Sequence, residues 1–254
     1  MRTFLADLHI HTLLSPCGDL EMTPRMVVEK SLERGLSIIA ISDHNSTRMG
    51  EIIAAFAATK GLTVLPAVEV NTAEEVHCLA ILPDWKRAAT FQQFLDNKLI
   101  VIKNKPSLFG YQVVVDVDEQ VLFTEDRLLV SALKASVKEV ETEVHQLNGL
   151  FIPAHISRRQ NGILHQLGFI PHDLECDAYE LTPGSLRENY WELVPNGEHA
   201  TWIFSSDAHY PEQIGKFSTG FWLEKPSFEE LKMALKNEQG RRVEGLVTGS
   251  IFCQ

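Results

Sequence analysis

Short apolar runs recur along this 254-residue chain, separated by helix-like stretches, and nearly every run ends in a histidine, an aspartate or a glutamate. Strand, polar terminus and helix in repetition form the unit of an α/β sheet, whose site lies at the carboxyl ends of its strands. The run from Phe4 to His11, Phe-Leu-Ala-Asp-Leu-His-Ile-His, sets the pattern. Strand side chains alternate between faces, so the spacing predicts Asp7, His9 and His11 on one face and Leu8 and Ile10 on the other. Two imidazoles on one face can ligate a transition metal, and the turn from Ser15 to Asp19 can return a carboxylate over them.

The unit then repeats. Thr23-Pro24 reads as the N-cap and first residue of a helix reaching Gly35, followed by a strand from Ser37 to Ser42 that ends in Asp43-His44. A helix from about Met49 to Thr59 leads to a strand from Leu62 to Glu69, and the next strand, Val76 to Leu82, carries His77 near its start. Between about residues 84 and 136 the rhythm breaks into a helix, Trp85 to Val101, and a hairpin of Val113 to Val115 with Val121 to Phe123. That excursion reads as either a packed decoration or a lid or wall over the site. A helix from Val137 to Leu147, a strand from Leu150 to Ala154 presenting His155, and strands at Asp177 to Leu181, Thr201 to Ser205 and Gly220 to Leu223 complete the series. The last helix pairs Ser227 with Glu230 as a capping box.

Composition narrows the function classes. The formal net charge of -11 argues against non-specific binding to long nucleic acid, and no run is long enough to span a bilayer, so a soluble, cytoplasmic protein is expected. Cys17, Cys78, Cys176 and Cys253 form no CxxC pair and read as packing residues in a reducing compartment, with Cys17 in a loop. His145, His165, His172 and His199 lack a strand-end position and read as structural.

The strand-end set is His9, His11, Asp19, His44, Glu69, His77, His155, Asp207 and His209. Six imidazoles and three carboxylates exceed the donors of one ion, so two to three divalent transition-metal ions are expected. Asp7 and Asp43, beside ligand histidines, read as carboxylates that fix an imidazole tautomer. Arg158 is placed to meet an anionic oxygen near the metals, with Arg159 and Arg187 as weaker candidates.

Asp7-Leu-His-Ile-His-Thr12, Asp19 before Thr23-Pro24, Ser42-Asp-His44, Pro66-Ala-Val-Glu69, His77, Pro153-Ala-His155 and Ser206-Asp-Ala-His209 together resemble the motifs of the PHP (polymerase and histidinol phosphatase) family of metal-dependent phosphoesterases. The resemblance covers almost the whole chain outside the excursion. It implies an α/β fold, a distorted (β/α)7 TIM-like barrel over residues 1–254 as one domain, with a helix-plus-hairpin insertion at about 84–136. It also implies a trinuclear metal centre of zinc, manganese or iron. Carried over by position, His9, His11, Glu69 and Asp207 hold one ion, Glu69 bridges to a second held by His77 and His155, and Asp19, His44 and His209 hold a third. Many members have histidine where this chain has Asp19, although aspartate is also common there, and Cys17 is in reach of the third ion but reads as a loop-packing residue.

Clustered ions activate a shared water, so the expected chemistry is hydrolysis of a phosphomonoester by a metal-bridging hydroxide, with Arg158 assisting. A histidinol-phosphate-like, sugar-phosphate-like or nucleotide-like compound is the expected small partner. The alternatives are a nuclease or cyclic phosphodiesterase acting on nucleotides or short oligonucleotides, and a non-catalytic accessory module. No glycine-rich phosphate loop and no Gly-x-Ser-x-Gly elbow is present.

Overall fold

Nine residues of extended, alternating chain form β1 (Arg2–Ile10). Thr23 then caps α1 (Pro24–Glu33) by accepting from the Met26 amide. Next come β2 (Ile38–Ile41), α2 (Gly50–Ala58), β3 (Thr63–Asn71) and β4 (His77–Ile81). The excursion contains α3 (Trp85–Lys98), a short α4 (Pro106–Phe109) and the hairpin of β5 (Val113–Val115) with β6 (Val121–Thr124). It is followed by α5 (Val137–Gln146), β7 (Leu150–Pro153), α6 (Ile163–Gln166), β8 (Tyr179–Glu180), β9 (Trp202–Ile203), β10 (Phe217–Leu223), α7 (Phe228–Leu235), β11 (Arg242–Thr248) and β12 (Ile251–Phe252). This computed structural model describes residues 1–182, 190–195, 197–248 and 251–252.

The fold is α/β, with one curled sheet in the order β12-β11-β10-β1-β2-β3-β4-β7. It is not uniformly parallel as the alternation predicts. β1, β2 and β3 run parallel, but β4 is antiparallel to both β3 and β7, and β10 is antiparallel to β1. The cause is connection length: the five residues from Thr72 to Val76 close a tight turn, with Val76 donating to Thr72 Oγ1 at 3.2 Å, whereas a parallel crossover needs about a dozen. Reversal of β4 explains why His77 stands at the start of the strand, opposite Asn71 at the end of β3.

Beyond β7 the curl continues through backbone bonds from Asp177 to the Phe151 carbonyl and from Ile156 to the Glu180 carbonyl, each 3.0 Å. β8 and β9 pair in parallel, and the chain after β9 returns to the end of β1, where His11 donates to the Ala208 carbonyl at 2.9 Å. Two apolar layers follow from this curl. The concave layer holds Phe4, Ala6, Leu8, Leu65, Ala67, Leu79, Ile152 and Ile203, closed by Phe228 and Leu231 of α7. The convex layer holds Ile10, Ile39, Ile41, Val68 and Phe151, packed under Val27, Ile53, Phe91 and Val140 of the helices.

β1 departs from strict alternation. Leu8 belongs to the concave layer and Ile10 to the convex one, although the two are an even number of residues apart. The register against β2 shifts between Asp7 and Ile10, so one extra residue in β1 turns the following side chains over. The bulge aims His9 and His11 at the concave end.

In the excursion, Ala88, Phe91 and Leu95 of α3 are buried in the convex core, and Asp96 pairs with Arg48 at 2.8 Å and Arg127 at 2.9 Å, tying the insertion to the loop before α2. Ser227 caps α7, but Glu230 does not reach back to complete a box. Its carboxylate accepts from the Glu224 amide at 2.8 Å and pairs with Arg241 at 2.9 Å. β11 and β12 were not anticipated, because charged residues interrupt the run from Arg241 to Glu244. Among the described residues no helix is long and apolar enough to cross a membrane.

Leu79 is fully buried in the concave layer beneath the strand-end polar cluster. Leu79→Ala is expected to lower the unfolding free energy by about 2–5 kcal/mol, as read from the midpoint and slope of urea denaturation.

Candidate metal centre

The concave layer ends in polar side chains contributed by successive strand ends. At their centre lies the Glu69 carboxylate at the end of β3, 1% exposed. Five imidazole nitrogens surround it: His9 Nε2 at 3.3 Å, His11 Nε2 at 3.4 Å, His44 Nδ1 at 3.0 Å, His77 Nδ1 at 2.8 Å and His155 Nε2 at 3.0 Å. Asp207 closes the cluster with Oδ1 at 3.3 Å from both His9 Nε2 and His11 Nε2. His209 stacks on His11 with ring centroids 4.3 Å apart, and its Nδ1 donates to the Asp207 carbonyl at 2.8 Å, which leaves Nε2 as its donor atom.

Partners behind these rings fix which nitrogen faces the cluster. His9 Nδ1 donates to Glu180 at 3.0 Å, leaving Nε2 inward. His11 Nδ1 donates to Ser15 Oγ at 3.0 Å, and Ser15 Oγ donates to Asp43 Oδ1 at 2.7 Å. The Ser15 hydroxyl thereby relays Asp43 to His11. Asp43 also accepts from the Thr12 amide and hydroxyl, each at 2.7 Å. It therefore orients an imidazole through a hydroxyl and not by direct contact. Asp7 has a different place from the one expected: it accepts from the backbone amides of Ser206 at 3.0 Å and Gly215 at 2.9 Å and touches no ring nitrogen. Burial pushes its pKa up to about 6, against the lowering effect of those hydrogen bonds.

The donor set suits cations. His9 Nε2 and His11 Nε2 are 3.2 Å apart with two carboxylates converging on them. His155 Nδ1 is buried without a hydrogen-bond partner among the described residues, and His44 Nδ1 faces Glu69 off the line of a hydrogen bond. Burial opposes charge on His9, yet Glu180, Glu69 and Asp207 hold it well above the usual imidazole value. Burial is likewise outweighed at His11 by Asp207 and Glu69, and at His44 by Glu69 and Cys17, so that each rises to about 9. Burial prevails at His77 and His209, which fall to about 4 and about 3. Burial also opposes charge on Glu69, yet His77, His9 and His44 hold it well below the carboxylate range.

Three overlapping donor sets each converge within 4.8 Å: His9, His11 and Glu69; His44, Glu69 and His77; and His11, Cys17, His44 and His209. Asp19 belongs to none of them. Its Oδ1 accepts from the Glu21 amide at 2.8 Å, and its own amide donates to the His209 carbonyl, so it shapes the turn while Cys17 faces the cluster. Cys17, expected as a packing residue, lines a cavity of about 260 Å³ together with His44, His77, Arg158, Asp207 and His209. Arg158 pairs with Asp207 Oδ2 at the mouth of this cavity, its side chain 44% exposed. Arg187 lies outside the described residues. A further set, Glu141, His145 and Glu175, has both ring nitrogens of His145 engaged, by Glu141 and Asp177 at 2.9 Å each.

Glu180 and Ser15 went unrecognised in the sequence. Glu180 carries the strand-end signal, an acid inside the apolar run from Ala178 to Leu181; Ser15 carries none, because its role depends on the folded turn.

Comparison with known proteins places this geometry. No family model matches the chain. The structure aligns with the lesion-specific endonuclease Endonuclease Q of Pyrococcus furiosus at a TM-score of 0.71 and 18% identity, covering 96% of this chain and 58% of that one. The two chains share one fold. Endonuclease Q bound to a 27-mer duplex with an abasic lesion at its active site aligns with the same score, over 94% of this chain and 58% of that one. A candidate metal-dependent phosphoesterase of Bifidobacterium adolescentis aligns at 0.52 with 19% identity over 80% of this chain and 87% of its own. Among curated proteins, the uncharacterised YqxK of Bacillus subtilis (strain 168) is 22% identical over 96% of this chain and 64% of its own. The chain thus spans about three fifths of Endonuclease Q and of YqxK.

Glu180→Ala removes the acceptor behind His9 and is expected to weaken divalent-metal affinity about 10–100-fold, measured by competition with a chromophoric chelator. Because His11 and His44 titrate at about 9, both bind protons at pH 7 in the metal-free protein, and an entering ion displaces them. Apparent metal affinity should therefore rise with pH, by roughly tenfold or more per unit below about pH 9, with protons released on binding in weakly buffered solution.

Proposed function

We propose that the chain is a metal-dependent phosphoric ester hydrolase whose centre holds two to three divalent ions of zinc, manganese or iron. The observation that carries this reading is the buried Glu69 carboxylate ringed by five imidazole nitrogens, with Arg158 at the mouth of the adjoining cavity. His9, His11, Glu69 and Asp207 would hold one ion, Glu69 with His77 and His155 a second, and His44 with His209 would contribute to a third. Ions in such a set supply an activated water and neutralise phosphoryl oxygens.

The chain's own groups orient and exclude. Glu180 and the Asp43–Ser15 pair hold His9 and His11 with Nε2 inward. Arg158 offers a guanidinium that can exchange its partner, Asp207, for a phosphoryl oxygen entering the cavity. Asn71 at the end of β3 and Val130 of the insertion also line that cavity. Its volume, about 260 Å³, suits the phosphoryl end of a small phosphomonoester, in a distorted (β/α)7 barrel domain that carries residues 84–136 as an insertion.

A second reading, a phosphodiester of a nucleotide or oligonucleotide, is favoured by a separate feature. Leu108 and Phe109 of α4, 70% and 41% exposed, line an apolar cavity with Pro16 and Cys17, which also borders the metal cavity. Such a shelf beside the metals suits a base or other planar group, and Endonuclease Q, which shares the fold, takes a DNA duplex.

Metal content by elemental analysis, paired with turnover of phosphomonoesters, dinucleotides, cyclic nucleotides and abasic-site duplexes, tests these readings. Two to three ions per chain with selective turnover is the expected result; metal-free protein that stays inert after zinc, manganese or iron is supplied overturns it. His155→Ala and Asp207→Ala should each abolish turnover with circular dichroism unchanged. Arg158→Ala should raise KM for the phosphorylated substrate with metal content unchanged.

A further inference from the structure

We infer that Cys17 ligates the third ion as a thiolate, giving that position a two-imidazole, one-sulfur donor set with His44 and His209. The inference rests on the metal-centre reading above and adds to it which atom completes the outermost site and which metals that site prefers.

Cys17 Sγ and one nitrogen from each of the three histidines lie within 4.8 Å of one another. The Asp207 carbonyl ties His209 Nδ1, so His209 presents Nε2 there, while His11, its Nδ1 tied to Ser15, borders the site and gives its Nε2 to the first ion. The turn holding Cys17 is built tightly. Ser15 donates to the Thr12 carbonyl at 3.1 Å and Gly18 to the Ser15 carbonyl at 2.9 Å, while Thr12 and Ser15 are both anchored on Asp43. A Cβ at Gly18 would lie 2.2 Å from the Thr12 carbonyl oxygen, so this close approach requires glycine and places Cys17 over the cluster. Asp19, the carboxylate two residues on, is turned to the Glu21 amide. The position that a carboxylate was expected to fill is occupied by sulfur.

A thiolate among imidazoles favours borderline-soft ions such as zinc over manganese or magnesium, which prefer oxygen. On ligation the thiol proton leaves to solvent and the sulfur lone pair forms the bond to the metal. The two ions deeper in the centre, with Glu69 and Asp207 oxygens in their sets, carry no such preference.

Cobalt(II) reconstitution of the full chain decides the matter, because a cobalt–thiolate bond absorbs in the near ultraviolet by charge transfer and imidazole or carboxylate ligation does not. Wild-type protein should show this band, and Cys17→Ser should lack it, holding one ion fewer per chain under chelator competition and losing at least tenfold in affinity for that ion. Cys17→His should recover the stoichiometry without the band. Cobalt that binds with no charge-transfer band overturns the Cys17 assignment alone and leaves the centre standing. A chain that takes up no cobalt at all overturns both the assignment and the metal-centre reading. The wild-type spectrum alone separates these outcomes, even if a variant fails to fold.

Discussion

The structure turns on one buried carboxylate. Glu69 sits at the end of β3 with almost no exposure, and a lone carboxylate in such a place would cost several kcal/mol in lost hydration. Five imidazoles answer it, but they cannot answer it alone, since His9, His11, His44 and His155 are also buried and all five compete for the same two oxygens. Glu180 and Ser15 engage the far nitrogens of His9 and His11 and so turn Nε2 of both toward the carboxylate. Protons can balance such a cluster, and multivalent cations balance it better, since one ion accepts several lone pairs at once.

Delivering those rings to one carboxylate requires the backbone to break its own regularity. The bulge in β1 reverses the facing of the side chains after Leu8, and the reversal of β4 brings a residue from the start of a strand to the rim formed by the ends of its neighbours. Two residues below that rim, Ala67, Leu79 and Ala178 lie in the apolar concave layer, so the polar cluster rests on a dry floor. A low-dielectric floor strengthens every interaction above it.

Much of this was legible from residue order. Polar residues terminating apolar runs marked His9, His11, His44, Glu69, His77, His155, Asp207 and His209, all of which the fold gathers at one end. Residue order did not tell Cys17 from Asp19, because both lie in one turn and only its hydrogen bonds decide which side chain faces inward. The β1 bulge was equally hidden, since the alternation of Asp7 to His11 is unbroken in sequence. The direction of β4 was within reach: five linking residues exclude a crossover. Asp7 was misplaced because adjacency to a histidine along the chain says nothing about what lies across the sheet.

The positions of Asp7 and Glu180 share a further logic with the backbone. His155 and Asp207 both adopt positive φ, 31° and 50°, where a side chain with Cβ is strained by about 1–3 kcal/mol. Glu180 Oε2 accepts from the His155 amide at 3.0 Å, and Asp7 Oδ1 accepts from the Ser206 amide, one residue before Asp207, at the same distance. His155 is therefore gripped at its own amide, and Asp207 at the residue before it, by a buried carboxylate from another strand. These two carboxylates have a double task, since Glu180 also sets the His9 tautomer while Asp7 also holds Gly215 on the loop leading into β10. Strain at the rim is thus sustained by two buried acids, one of which also orients His9 and the other the loop into β10, which ties the shape of the centre to the closure of the sheet around it.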